Sequence, residues 1–296
     1  MNSTLDIYTT FFKLKERPFA LLPDPEFIFW SESHTRAFAM LEYGLVTRAP
    51  ITLITGDIGA GKTTLLQHLV HSVGDEVRIA LLSNSTGERS DLLRWVLLAL
   101  DQKGGGEESY IELFERFQSF LIAEYAAGRR VVVIIDEAQS LTRESLEELR
   151  MFTNINNGKD ELLQLILVGQ PELRDIIQRH DMTQFAQRVS SAFHLPAMDV
   201  QTVRNYITHR IQVAGGDPKI FPLSAKDQIY QATGGVPRLV NQLCDLSMVY
   251  AYTKESLRVS RLIVQQVIDD GVFFGVRSPD TPPVPFLRNV SEVNSE

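Results

Sequence analysis

The sequence predicts an α/β fold in which a mainly parallel sheet is covered by helices and followed by a small helical domain. Three observations carry this. Short apolar runs alternate with helical stretches from about residue 50 to residue 195. One run, VVVIID at 131–136, is apolar without alternation, as expected of a parallel strand buried on both faces. After Pro196 the strand-like runs stop and only helical periodicity remains.

The elements follow in order. Residues 1–32 form a segment rich in Pro and aromatics; Pro18, Pro23 and Pro25 exclude a regular helix there. Phe19, Phe27, Phe29 and Trp30 predict a strip packed on the core. Ser33 reads as the N-cap of a helix over 34–48, with Phe38, Leu41 and Leu45 on one face. ITLIT (51–55) is a strand that ends in a glycine loop, and a helix follows over 62–72. VRIALL (77–82) is the next strand. Helices over 90–101 and 109–127 are separated by the flexible GGG at 104–106. After VVVIID come a helix over 143–156, a strand over 162–169 and a short strand near 192–195. These elements make an α/β domain over 33–197. Helices over 199–214, 224–233, 236–253 and 260–270 make a lid-like helical domain over 198–272. Residues 273–296, mixed in Pro, Ser and charge, read as a disordered tail.

Composition bounds the function. The chain has 296 residues, 44% of them hydrophobic and 22% charged, which is ordinary for a globular protein. A net charge of -8 and a pI of about 5.4 give no support to nucleic-acid binding as the main task, which needs clustered Lys and Arg. The single cysteine, Cys244, forms no intrachain disulfide and fits a reducing compartment. The N-terminus lacks the pattern of a signal peptide, and no apolar run approaches the ~20 residues that span a bilayer. The expected location is the cytoplasm, with any membrane link made through a partner.

The strongest chemical signal is Gly56-Asp57-Ile58-Gly59-Ala60-Gly61-Lys62-Thr63, a full match to G-x-x-x-x-G-K-[ST] placed between a strand and a helix; Thr64 follows inside that helix. In this motif glycines let the backbone wrap a triphosphate and the helix N-terminus adds positive potential. Lys62 neutralises β- and γ-phosphate charge, and the Thr63 hydroxyl ligates Mg²⁺. The predicted ligands are therefore ATP and Mg²⁺. Asp136-Glu137 closes a buried strand, a costly place for two carboxylates that have no task. Asp136 is assigned to the Mg²⁺ shell and Glu137 to the general base that polarises the attacking water. Their bland alternatives are a helix cap and a solvated first-turn residue.

Three further residues are candidates. Gln170, at the end of LILVGQPEL, could reach the γ-phosphate or the water, with Asn154 and Asn156 as weaker rivals. Arg188, in FAQRV, could enter a neighbouring subunit's site as an arginine finger. Arg238, in GGVPR at a helix start marked by Pro237, could face the nucleotide from the helical domain. Their bland alternatives are a loop glutamine before Pro171, a surface salt bridge and an exposed arginine after a helix start. His34 could line the adenine pocket or serve packing, and Cys244 reads as core. Neither a zinc cluster nor a Ser-His-Asp arrangement stands out.

Together these motifs resemble the AAA+ ATPases of the ExeA/GspA type, found with bacterial general secretion, MSHA-type pilus and exosortase-linked exopolysaccharide loci. The likeness runs over about residues 8–270, through GDIGAGKTT, VVVIIDEAQSL, LRMFTNIN, LILVGQPEL, FAQRV and GGVPRLVNQLCD. The N-terminal segment and DEAQ are more family-specific than the P-loop. The resemblance implies an AAA+ core with a helical lid, the Walker roles for Lys62, Thr63, Asp136 and Glu137, Gln170 as sensor 1, Arg188 as finger and Arg238 as sensor 2. Secretion-type members continue into a transmembrane helix and a peptidoglycan-binding domain; this sequence ends in a short polar tail, which favours the shorter pilus- or exopolysaccharide-locus ATPases. The expected protein is a homo-oligomeric ring or partial ring that drives assembly or export of a cell-surface structure through a membrane-associated partner. Two alternatives are a DNA-associated AAA+ regulator of the transposition type, which the acidic charge disfavours, and an ATP-binding scaffold with little turnover.

Overall fold

The computed structural model describes residues 7–22, 24–83, 89–102, 104, 108–158 and 160–275. The expected tail beyond 275 and most of the GGG spacer lie outside these residues. The chain opens with a one-turn helix α1 (Thr9–Phe12), then α2 (Glu32–Thr47), β1 (Ile51–Gly56), α3 (Lys62–Ser72) and β2 (Val77–Ser83). Next come α4 (Arg89–Ala99), α5 (Tyr110–Ala126), β3 (Arg130–Asp136) and α6 (Arg143–Phe152). A small hairpin, β4 (Asn156–Asn157) and β5 (Asp160–Glu161), precedes β6 (Leu163–Gly169), α7 (Pro171–Ile177), α8 (Thr183–Ala186) and β7 (Val189–Leu195). Four helices close the series: α9 (Val200–Val213), α10 (Leu223–Thr233), α11 (Pro237–Thr253) and α12 (Arg261–Asp269).

The sheet has five parallel strands in the order β2-β3-β6-β1-β7. Its central strands are buried on both faces, so they read as unbroken apolar runs. One face packs Leu93, Val96, Phe117, Leu121, Leu146 and Phe152 of α4, α5 and α6 against Val131, Val133 and Leu165. The other packs Ala37 and Leu41 of α2 and Leu65 and Leu69 of α3 against Ile54, Val132 and Ile166. Register places Gly56 beside Leu195, Ser83 beside Asp136 and Thr55 beside Gly169, so all five carboxyl ends meet at one edge. In open α/β sheets that edge is where ligands bind.

Local differences from the sequence expectation have local causes. The α2 N-cap is Ser31, whose side chain accepts from the His34 N–H, so the helix starts before the expected Ser33 cap. Helix α6 ends at Phe152 instead of 156, because TNINNG is turn chemistry: Thr153 Oγ1 donates to the Arg150 carbonyl at 2.7 Å and the chain reverses into the hairpin.

The N-terminal segment differs most. Tyr8, Phe12, Phe19 and Phe27 are buried with the residues of α9, α10, α11 and α12, so the segment completes the helical core where a strip packed on a domain surface was expected. Phe19 meets Phe221 edge-on at 5.7 Å between ring centres. The buried Arg210 guanidinium sits 4.7 Å from the Phe27 ring centre and donates to the Pro18 carbonyl. The Tyr8 hydroxyl and Arg17 both reach Asp245 on α11, the latter at 2.5 Å. Four helices of 9–17 residues leave an apolar face that these aromatics cover. Among the described residues no helix is long and apolar enough to cross a membrane.

Candidate active site

The glycine loop sits between β1 and α3, at the carboxyl edge of the sheet. Gly59 has φ +79°, which glycine adopts at no steric cost. A Cβ there would lie 2.6 Å from Arg238 Cβ, so the loop tip presses directly on the first turn of α11. The Arg238 N–H donates to the Gly59 carbonyl at 3.3 Å. The expected lid-side arginine thus stands beside the loop, its backbone bonded to it.

Lys62 is 6% exposed. Its ammonium donates to the carbonyls of Gly56 at 2.7 Å and Asp57 at 2.9 Å. Burial pushes its pKa down, while Glu137, Asp136, Asp57 and Glu172 pull it back up. The charge is therefore desolvated and held by neutral oxygens, ready to exchange them for anionic ones.

The Thr63 hydroxyl donates to Asp136 Oδ2 at 2.8 Å. Two oxygens that touch across the loop and β3 suit a hard divalent cation with few protein ligands, as Mg²⁺ is usually bound. Among the described residues no cluster of three or more His, Cys, Asp and Glu occurs. Thr63, Asp136 and the adjoining loop fit Mg²⁺ together with a phosphate chain.

Glu137 follows Asp136 in a left-handed conformation, φ 56°. Gln139 Nε2 donates to its Oε2 at 2.6 Å and Gln170 Nε2 to the same oxygen at 3.3 Å. The Gln139 bond, then the Gln170 bond and the Lys62 charge, hold the Glu137 carboxyl below its ordinary pKa against an opposing burial effect. Gln170 thus joins Glu137 at the carboxyl edge of the sheet. Asn154 does not: its side chain accepts from Arg188.

Arg188 is apart from this cluster. It immediately precedes β7, at the opposite edge of the sheet, and donates to the Thr153 carbonyl at 3.2 Å and to the Asn154 side chain. Seven residues of β7 separate the two edges, about 20 Å at ~3.3 Å per residue.

A cleft of ≈ 340 Å³ joins the loop to the helical part; Ile58, Gly59, Gly61, Lys62, Thr63 and Thr64 line its glycine-loop end. Its far wall is made by residues that the sequence did not assign to a site: Phe27 and Phe29 of the N-terminal segment, read there as packing, and Tyr206, Arg210 and Asn241 of α9 and α11. The Tyr206 hydroxyl donates to Asn241 Oδ1 at 2.8 Å. His34 also lines the cleft. Its Nε2 lies 3.2 Å from the Ala60 carbonyl and its Nδ1 2.7 Å from Ser31 Oγ. The Ala60 carbonyl requires a hydrogen on Nε2; in the neutral ring Nδ1 then accepts from the Ser31 hydroxyl, and burial, which lowers the His34 pKa, favours that neutral form. His34 therefore braces the loop from α2.

The family described as "AAA domain" matches residues 46–177. The chain has the AAA+ fold. Over 253 residues it is 36% identical to "General secretion pathway protein A" of Aeromonas hydrophila, covering 86% of this chain and 46% of that protein. The resemblance to the ExeA/GspA type holds across that span, and the chain spans about half the length of that curated relative. Among solved structures, the ORC2 protein of Aeropyrum pernix superposes with a TM-score of 0.65 at 17% identity, covering 86% of this chain and 72% of that one. Cdc6p from Pyrobaculum aerophilum gives 0.66 at 15%, covering 91% and 72%. At such identity the likeness carries the fold alone.

Proposed function

We propose that this AAA+ protein binds ATP with Mg²⁺, hydrolyses it to ADP and phosphate, and uses the cycle to drive assembly or export of a bacterial cell-surface structure. The observation that carries the reading is the convergence of Lys62, Thr63, Asp136, Glu137 and Gln170 on one sheet edge. The general-secretion relative supports the export setting, and the ORC2 structure, which shares the fold, is named as ADPNP-ADP complexes.

In this mechanism Lys62 leaves the Gly56 and Asp57 carbonyls for phosphate oxygens. Backbone N–H groups of the glycine loop and the α3 N-terminus hold the remaining phosphate charge. Thr63 and Asp136 would hold Mg²⁺, which supplies charge neutralisation on the phosphates when bound. Glu137 takes a proton from the attacking water at its carboxylate, and Gln170 orients that water with its amide. Arg238 reports nucleotide to the helical lid. Arg188 lies about 20 Å from its own site by the strand-length argument above. It serves the neighbour's site, so turnover needs a homo-oligomer.

Phosphate release from ATP by the purified protein tests this. Glu137→Gln should keep ATP binding and lose at least ~10²-fold in turnover, the usual contribution of a general base. A wild type that binds no ATP in magnesium would refute the proposal.

A further inference from the structure

The turn after Glu137 carries another side chain into the catalytic edge. Glu137 is left-handed, and both the backbone N–H and the hydroxyl of Ser140 donate to its carbonyl, at 3.0 and 2.7 Å. Ala138 is fully buried beneath the turn. This reversal folds residue 139 back over residue 137. The Gln139 amide is then used at both ends: Nε2 donates to Glu137 Oε2 at 2.6 Å, and Oε1 accepts from the Gln170 N–H at 2.9 Å. With the Gln170 side chain also on Glu137 Oε2, the three residues close a ring of hydrogen bonds between β3 and β6.

The approach depends on Gly169. A Cβ at that position would lie 2.8 Å from Gln139 Oε1, so a side chain on the last residue of β6 would expel the amide. The task also selects the residue type. Gln139 must donate at one end and accept at the other while staying neutral; a carboxylate lacks the donor and an ammonium lacks the acceptor.

We propose that Gln139 is a positioning residue for hydrolysis, locking the Glu137 carboxylate to the Gln170 end of β6. This rests on the reading of Glu137 as the base. Two amide donors converge on one carboxylate oxygen, which fixes the direction of the carboxylate without protonating it. A base displaced by about 1 Å loses on the order of 10²-fold in rate, whereas the phosphate-binding loop is untouched.

The experiment compares steady-state ATPase and ATP binding in wild type, Gln139→Ala, Gln139→Asn and Gln139→Glu. Gln139→Ala should lower kcat by roughly 10–100-fold, with ATP affinity within about threefold of wild type. Gln139→Asn keeps both functions one methylene short and should recover part of the loss. Gln139→Glu keeps the acceptor but sets a like charge on Glu137, and should be at least as slow as Gln139→Ala. In a Glu137→Gln background, Gln139→Ala should cost nothing further in single-turnover rate, because the group it positions is gone. An active wild type whose Gln139→Ala variant keeps kcat within twofold overturns this inference alone. So does a variant whose ATP affinity and melting temperature fall in step with kcat, or a loss that adds fully to Glu137→Gln. A wild type that binds ATP without turnover overturns the hydrolysis reading and this inference with it.

Discussion

Replacing Lys62 with Met removes a charge while keeping an apolar stem, and the size of the effect follows from where the ammonium sits. In the free protein it is buried and bonded to two neutral carbonyls, Gly56 O and Asp57 O. When ATP enters, both bonds must be exchanged for phosphate oxygens. A unit charge about 4 Å from a phosphate charge gains ~4 kcal/mol at an effective dielectric constant of about 20. Losing two carbonyl bonds at about 1 kcal/mol each takes back ~2 kcal/mol. The net is about 2 kcal/mol, or roughly 30-fold in affinity. Isothermal titration with ATP and magnesium should therefore show Lys62→Met binding roughly 30-fold more weakly than wild type. Thermal melting without nucleotide adds a second readout. The variant loses the two carbonyl bonds but also the burial penalty on the charged ammonium; the two effects oppose, so the free variant should melt close to wild type. ATP affinity within threefold of wild type would refute the exchange argument.

Other perturbations test other parts. Arg188→Ala should keep ATP binding and lose ATPase, and mixing it with Lys62→Ala should restore some activity at mixed interfaces; no recovery in the mixture, together with a strictly monomeric active wild type, would remove the role in trans. Phe19→Ala should cost about 3–5 kcal/mol in urea unfolding of the helical part, the price of a cavity in a core; a cost under ~0.5 kcal/mol would show that the N-terminal segment is a surface strip after all. Cys244 is fully buried, and burial raises its thiol pKa well above the usual value, so the reactive thiolate is scarce at neutral and mildly alkaline pH. A chromogenic disulfide reagent at pH 8 should label it only as the helical part opens; stoichiometric labelling within seconds would contradict that burial.

The α/β unit was legible because its signals are local and periodic. The unbroken apolar run ending at Asp136 and the glycine loop before Lys62 each state their own environment. Thr63 and Asp136 were assigned to one site from motif chemistry, and the fold brings them to 2.8 Å. Gln170 was visible as a polar residue closing a buried strand. The pocket wall was not legible. Phe27, Tyr206, Arg210 and Asn241 meet only through tertiary packing, and none carries a spacing that announces it. Gln139 stood within the DEAQ run in plain view, but its role depends on a left-handed Glu137 and a side-chain-free Gly169, which only coordinates disclose. Helical periodicity alone does not mark the end of α6 at Phe152, because the Asn-rich turn that stops it acts through side-chain bonds to the backbone.

The order in which the chain is made bears on the helical core. Tyr8 and Pro18 bond to Asp245 and Arg210, across sequence separations of 237 and 192 residues. During synthesis the first aromatics must stay uncovered until the penultimate helix has emerged, and contacts this distant in sequence form late. A nascent chain can assemble the sheet and its glycine loop well before that. The cleft acquires its far wall last, so a truncated product would carry a phosphate loop with no enclosure around the rest of the nucleotide.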